Sequence, residues 1–408
     1  MIQLGEWWLF TAASLATFWL LPAAVRLHFL AAASIAFLMM LAPAACVLMV
    51  ALSIVVRLSF ATSPKMIALA GGGRGFVQVA ASSVGRAGPP VVLILGYLFW
   101  YKFAPPIVRV WQADSPIAQI LAPLGISYFC FKLIHYAIEQ GRGALPAHAT
   151  QEFLVWLFLV PTFTAGPIEP FDHFLAGRNE RLSSGLVVEG LTRIVFGLVK
   201  KLIVAAAITA IITRITGPDL NKFVANAHGL AGVLRIWAYL TLALIVLYLD
   251  FSAYSDIAIG VSRLFGFKII ENFQYPLVVT NLTEFWRRWH MSLTSWCRVY
   301  VYMPLVGYTR NPYLAIIITF TAVGLWHAGS LQWLAWGLWH GVGQALTQWW
   351  GRFSARRRIK MFKTPLGRVM AWAITMFYVT LGGGLVAFHP TGTLTDSLGL
   401  MLRAIGLG

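Results

Sequence analysis

The chain is a series of apolar runs long enough to cross a bilayer, joined by short segments that hold most of its charge. A spanning helix needs about 20 predominantly apolar residues. The stretch Leu230 to Ile259 is one such run, with only Arg235, Asp250 and Asp256 charged. Across 408 residues 59% are hydrophobic and 11% charged, against about 25% charged in a soluble domain. Lys and Arg number 31 against 14 Asp and Glu, a net charge of +17. In a soluble chain that excess would suggest nucleic acid; here the basic residues fall between apolar runs and read as juxtamembrane, with no nucleic-acid partner expected. Soluble enzyme, disordered tail and disulfide-stapled secreted domain are excluded. Cys46, Cys130 and Cys297 sit in apolar or aromatic surroundings and offer neither a disulfide framework nor a metal pair.

The length rule gives roughly 9 to 12 spans or re-entrant helices in an all-α polytopic membrane protein. Trp7 to Val25 reads as a retained first span, because Met1 to Phe10 lacks the basic region of a cleavable signal. His28 to Val56 is one kinked helix or two short ones around Pro43. A connection from Gly71 to Pro90 follows, then runs at Val91–Val110, Ile117–Ile138, Phe153–Phe171, Leu186–Ile215, Leu230–Ile259, Tyr313–Trp350 and Leu366–Phe388, with a short piece at Leu398–Leu407. A single membrane domain over 1–408 is expected, with N-terminal spans in 1–110, a motif-bearing core in 121–350 and C-terminal spans in 366–408. Arg352, Arg356, Arg357, Arg358, Lys360, Lys363 and Arg368 form an acid-free loop expected on the cytoplasmic side, with the N-terminus, which lacks Lys and Arg, outside; binding of anionic lipid or a partner by this loop is the alternative to topology signalling.

Ionisable residues at membrane depth are costly and point to function. Three of nine histidines stand out. His290 lies in TEFWRRWHMSLTSW, Thr283 to Trp296, too charged to cross lipid and too aromatic for an exposed loop. An amphipathic helix at an interface or cavity wall is the expected form, with Asn281 or Thr283 as cap. His327 ends the uncharged run Tyr313 to Trp326, about 21 Å of helix. Tyr313 to Trp350 would be about 57 Å as one helix, so it must break, and Gly329–Ser330 is the expected breakpoint. His327 is therefore the best candidate for a buried reactive imidazole, able to take a proton from a hydroxyl during attack on an acyl carbonyl. His340, 13 residues on, shares a site with His327 only if the chain turns between them, and reads first as a packing or supporting residue. No acidic residue near His327 completes a metal site, so no metal is expected.

Several blocks taken together carry a resemblance. They are APLGISYFCFKLIHYAIE, VPTFTAGPIEPFDHF (Val160 to Phe174), DFSAYSDIAIGVSRLFGFKIIENFQYP (Asp250 to Pro276), TEFWRRWHMSLTSW and GLWHAG…WGLWHG. In this order, over roughly Leu121 to Trp350, they resemble the membrane-bound O-acyltransferase superfamily, and most of all its bacterial branch of alginate O-acetylases and D-alanyl-lipoteichoic acid transferases. The resemblance implies a many-helix fold around a membrane-crossing tunnel, His327 as general base and His290 assisting from the facing wall. Trp286, Arg287 and Arg288 would shape the donor entrance, with His340 and Asp256 as further binding candidates. Asp250, Tyr254 and Asp256 are read first as packing and hydrogen-bonding groups. After Trp296 the family commonly has Arg-Asp-Tyr, where this chain has Cys297, Arg298, Val299 and Tyr300.

The expected activity is O-acylation of an extracytoplasmic polysaccharide at the bacterial cytoplasmic membrane. An acyl group, acetyl above all, would come from a cytoplasmic thioester, acetyl-CoA or a phosphopantetheine carrier, with no tightly bound cofactor. A periplasmic SGNH-type transferase is the expected partner. D-alanyl transfer to teichoic acid, a transporter or flippase, and a scaffold that only recruits a transferase are the alternatives.

Overall fold

A computed structural model describes residues 5–60, 75–112, 114–178, 181–359 and 361–407; the side chains of residues 75–84, 110 and 363 are not described. The described residues form helices joined by turns and irregular segments, without a strand. Among the described residues, four helices are long and apolar enough to cross a membrane: Ala23–Leu41, Ser184–Thr216, Gly229–Leu264 and Pro365–Val386. Pro43–Leu58 and Pro312–His327 are shorter apolar helices. The protein is an all-α polytopic membrane protein.

Proline and glycine placement sets the breaks. Pro22 ends the expected Trp7–Val25 run early, at Leu20, and starts the next helix at Ala23. His28–Val56 resolves into two helices, with Pro43 opening the second, where its missing N–H costs nothing. The expected connection Gly71 to Pro90 is instead helical from Gly75, with Pro89 and Pro90 inside a helix that runs to Lys102; residues 71–74 and Lys360 lie outside the described residues. Tyr313–Trp350 breaks where expected. One helix ends at His327, and Ser330 caps the next, its Oγ accepting from the Trp333 N–H at 3.4 Å.

The chain divides into two compact units, residues 1–196 with 254–270, and residues 197–253 with 271–408. In the first, Phe153–Phe171 is not a span. A helix Thr150–Phe158 gives way to a 3-10 turn at Val160–Thr162 and an irregular segment with Gly166 at φ +92. Non-helical backbone in a membrane protein must be satisfied by protein, and buried polar side chains do this. Lys132 Nζ donates to Trp156 O at 3.0 Å and Thr162 Oγ1 at 3.1 Å. His135 Nε2 accepts from the Phe171 N–H at 2.9 Å, and Glu169 Oε2 from the Ile270 N–H at 2.9 Å. Asp256 pairs with Arg193 at 2.7 Å, and Tyr254 shares a 2.7 Å hydrogen bond with Thr164. Asp256, read first as a packing and hydrogen-bonding group, is held by an ion pair within this unit.

The second unit is organised by a tight helical hairpin, Pro312–His327 against Leu331–Arg356. A Cβ on Gly324 would lie 2.2 Å from Trp333 O, and one on Gly337 2.6 Å from Phe320 O. A Cβ on Gly341 would sit 2.9 Å from Ile317 Cα. These glycines let the two backbones touch, the small-residue route to helix association in lipid. The echo GLWHAG…GLWHG thus has a packing cause: each copy contributes a contact glycine beside its histidine. Gly337→Ala or Gly324→Ala is expected to destabilise the protein by about 1–3 kcal/mol or more through overpacking, read as a lower thermal midpoint in detergent. Gly351→Ala, where a Cβ meets nothing within 4 Å, is expected to leave that midpoint unchanged or raise it.

Candidate functional site

The hairpin turn brings His327 and His340 to one cavity, which His290 also lines; its volume is about 300 Å³ and its walls are otherwise nearly all apolar. The path between the hairpin histidines is aromatic. His327 lies flat on Trp333, ring centroids 4.4 Å apart at 18°, and meets Trp336 edge-on at 5.7 Å. Trp336 in turn lies 4.5 Å from His340. His327, the last residue of its helix, is exposed rather than buried as expected. His290 and His340 are 4% and 2% exposed. His290 and His327 lie close enough to interact electrostatically.

His290 is held differently from what an uninterrupted amphipathic helix would give. The expected Thr283–Trp296 helix splits into Leu282–Arg288 and Met291–Cys297, with His290 between them at φ 44. Asn281 caps the first piece, its Oδ1 accepting from the Glu284 N–H at 2.9 Å. A non-glycine residue in the left-handed region persists only where its surroundings hold it, and Asn272 does so. Fully buried, Asn272 accepts at its backbone O from the Met291 N–H at 2.9 Å. Its Oδ1 accepts from the Ser292 N–H at 3.3 Å and Ser292 Oγ at 2.8 Å, and lies 3.1 Å from His290 Nδ1. The backbone N–H identifies that Asn272 atom as oxygen, so His290 Nδ1 carries the proton toward it. In a neutral imidazole Nε2 is then the lone-pair nitrogen. Sequence reading passed over Asn272, which lies with Glu271 and Gln274 in the IIENFQYP stretch. Phe251 also went unmarked, and packs edge-on against His290 at 4.7 Å.

Trp286 Nε1 and His340 Nδ1 are buried without a hydrogen-bond partner among the described residues. Their rings meet at 5.1 Å, and both residues line the cavity. Buried donors and acceptors are rarely left unmade, so a cavity with two of them is suited to a ligand that carries a polar group. A second cavity of about 260 Å³ shares Trp286, Leu293 and Val323 with the first. Arg287, Cys297 and Arg298 line it, so Cys297 stands in a cavity wall rather than in a disulfide. Arg287 pairs with Glu284 at 2.7 Å and is otherwise largely exposed. Arg288 approaches Glu284 at 3.7 Å, and its backbone O accepts from the Gln274 N–H; it is not among the residues lining either cavity.

Asn272→Leu is expected to leave the donors of His290 and Ser292 without their acceptor, at a cost of about 1–3 kcal/mol per stranded group. Asn272→Asp, which keeps an acceptor at the same place, is expected to recover part of that loss. Thermal unfolding of both variants in one detergent checks the difference.

Comparison with known proteins places these features in a family. The membrane-bound O-acyltransferase family profile matches residues 110–386, which include all three cavity histidines. A probable alginate O-acetylase of Pseudomonas aeruginosa is 33% identical over 299 residues, 71% of this chain and 54% of that protein. A teichoic acid D-alanyltransferase of Streptococcus thermophilus is 30% identical over 269 residues, 60% of this chain and 61% of that protein. A peptidoglycan O-acetyltransferase of Helicobacter pylori is 24% identical over 330 residues, 73% of this chain and 59% of that protein. The chain spans about half the length of the alginate acetylases it matches. With a family match over most of its length and its histidines inside the matched region, the chain belongs to the membrane-bound O-acyltransferase family.

Proposed function

We propose that the protein is an O-acyltransferase of the bacterial cytoplasmic membrane that moves an acetyl group from a cytoplasmic thioester to the hydroxyl of an extracytoplasmic polysaccharide or of a partner serving it. The observation that carries this reading is the convergence of His290, His327 and His340 on one apolar cavity, with the His290 tautomer set by Asn272. Such a cavity keeps bulk water from a thioester, and its imidazoles are the groups suited to proton transfer near neutral pH.

The chemistry follows from the placement. The acceptor oxygen attacks the thioester carbonyl while His327 Nδ1 or Nε2 takes the hydroxyl proton; the C–O bond forms and the carbonyl becomes an oxyanion. His327, exposed and flat on Trp333, is the imidazole that an acceptor from outside the protein can reach. His290, through its Nε2 lone pair, accepts a hydrogen bond from donor or acceptor and orients it. Trp286 Nε1–H, and His340 when Nδ1 carries its proton, supply donors to the oxyanion. Collapse breaks the C–S bond, and the thiolate leaves with the proton held by His327, giving an ester and a free thiol. Arg287 and Arg298 bring positive charge to the adjoining cavity, where a phosphate-bearing donor such as acetyl-CoA or a phosphopantetheine carrier would approach.

D-alanyl transfer is the second reading, favoured by the identity to the teichoic acid D-alanyltransferase. It uses the same steps with an aminoacyl thioester. An SGNH-type transferase as downstream partner belongs to the acetyl reading.

The test uses native membranes supplied with radiolabelled acetyl-CoA, scoring free thiol and ester-linked label in the polysaccharide fraction. His327→Ala is expected to lower both by about 100-fold or more, the usual contribution of a general base, with the protein still present in the membrane. Retained acylation in that variant would sink the reading, and label only from a D-alanyl carrier would move it to the second. Trp286→Phe keeps the ring and deletes the N–H. It is expected to lower kcat by about 10²-fold, as removal of one oxyanion donor does, with little change in the donor KM.

A further inference from the structure

The arginine loop that follows the hairpin is absorbed neither by the packing nor by the proposed chemistry. From Phe285 to Thr395 the sequence holds no acidic residue and eleven basic ones. Arg356, Arg358 and Arg368 are exposed and have no ion-pair partner among the described residues. Topology signalling accounts for positive charge on a loop, but not for what lies beside it. A cavity of about 620 Å³, twice the volume of the histidine cavity, opens between Leu331–Arg356, Pro365–Gly383 and the 280–283 segment. Its walls combine apolar side chains, among them Leu346, Trp350 and Phe362, with the hydroxyls of Thr347 and Ser354. Ile359, next to Arg358, and Ala371, one turn beyond Arg368, line it as well. An apolar slot with hydroxyls, with exposed arginines next to one lining residue and one turn from another, matches an amphiphile with an anionic phosphate head.

We propose that this cavity is a binding site for an anionic phospholipid. One acyl chain lies along Leu346 and Phe362, and the phosphate takes hydrogen bonds from Arg358 and Arg368. Membrane lipid is the source argued here because the cavity lies beside the membrane-length helix Pro365–Val386 and carries an apolar lining suited to a hydrocarbon chain. The phosphates of a thioester donor are the competing source of the same chemistry. The site rests on the charge and the cavity alone and stands whether or not the acyl-transfer reading holds.

The experiment is native mass spectrometry of the full chain released from nanodiscs of phosphatidylcholine mixed with phosphatidylglycerol. Wild type is expected to retain one phosphatidylglycerol in preference to phosphatidylcholine. The double variant Arg358→Gln/Arg368→Gln is expected to lose that preference by roughly thirtyfold, at about 1 kcal/mol per charge and tenfold per 1.4 kcal/mol. Ser354→Trp, which fills the slot and keeps every charge, is expected to lose the bound lipid too. Equal retention of the two lipids by wild type overturns the proposal. So does loss in the arginine variant with full retention in Ser354→Trp, which would mean surface attraction alone. Displacement of phosphatidylglycerol by excess CoA overturns it in favour of the donor's phosphates. Thermal midpoints of both variants within a few degrees of wild type keep unfolding from mimicking loss.

Discussion

Backbone contact between two helices is the constraint on which the rest of the site depends. Gly324 and Gly337 remove the atoms that would hold Pro312–His327 and Leu331–Arg356 apart. In lipid no hydrophobic force drives helices together, and close packing must do that work. Because the backbones meet, Trp333 and Trp336 of one helix reach the end of the other, where His327 sits, and Trp336 in turn contacts His340. The next helix is then locked on. Trp339 stacks on Tyr378 at 4.6 Å, its Nε1 donates to Tyr378 O, and the Tyr378 hydroxyl donates to Trp339 O. Gly343 leaves the room that the Tyr378 ring occupies, since a Cβ there would lie 2.5 Å from it. One set of glycines thus fixes the positions of four aromatic side chains and two imidazoles.

His290 reaches the same cavity by another physical route. It comes from a broken segment whose two short helices could not hold a side chain in place by themselves. What replaces helical regularity is a single buried amide. Asn272 ties the backbone at Met291 and the side chains of His290 and Ser292 to one residue. A left-handed φ at His290 is the conformational cost of turning the ring inward, and the Asn272 contacts offset it.

Features that depend on length and local composition were legible in the sequence. A 38-residue apolar stretch cannot be one span, and Gly329–Ser330 was the place for it to turn; the structure breaks there. Capping by Asn281 was legible for the same local reason. Exposure was not. His327 looked buried because the run before it is uncharged, yet it stands exposed at the end of its helix. The irregular Phe163–Pro170 segment was not anticipated within the Phe153–Phe171 run, although Gly166, Pro167 and Pro170 signal a break there; its partners, Trp156 Nε1 on Glu169 O and Tyr254 on Thr164, come from elsewhere in the chain. Asp256 was read first as a packing and hydrogen-bonding group, but its partner Arg193, 63 residues distant in sequence, was not legible.

The absence of carboxylates from the histidine cavity bears on how its imidazoles can work. A carboxylate beside a histidine stabilises the imidazolium and favours proton uptake, but in an apolar cavity it would also repel the charge that develops on an acyl oxyanion and attract cations. Asn272 orients His290 without adding charge: a neutral amide oxygen selects the tautomer and leaves the cavity's net charge to the proton in flight. The Trp286 N–H that faces the cavity is a neutral donor as well. In the acyl transfer proposed for this site, attack of a hydroxyl on a thioester with departure of a thiol, a proton and a negative charge appear together and disappear together. The positive charge of the chain is kept at Arg287 and Arg298 in the adjoining cavity and in the 352–368 loop, where it can attract phosphate without entering the reaction.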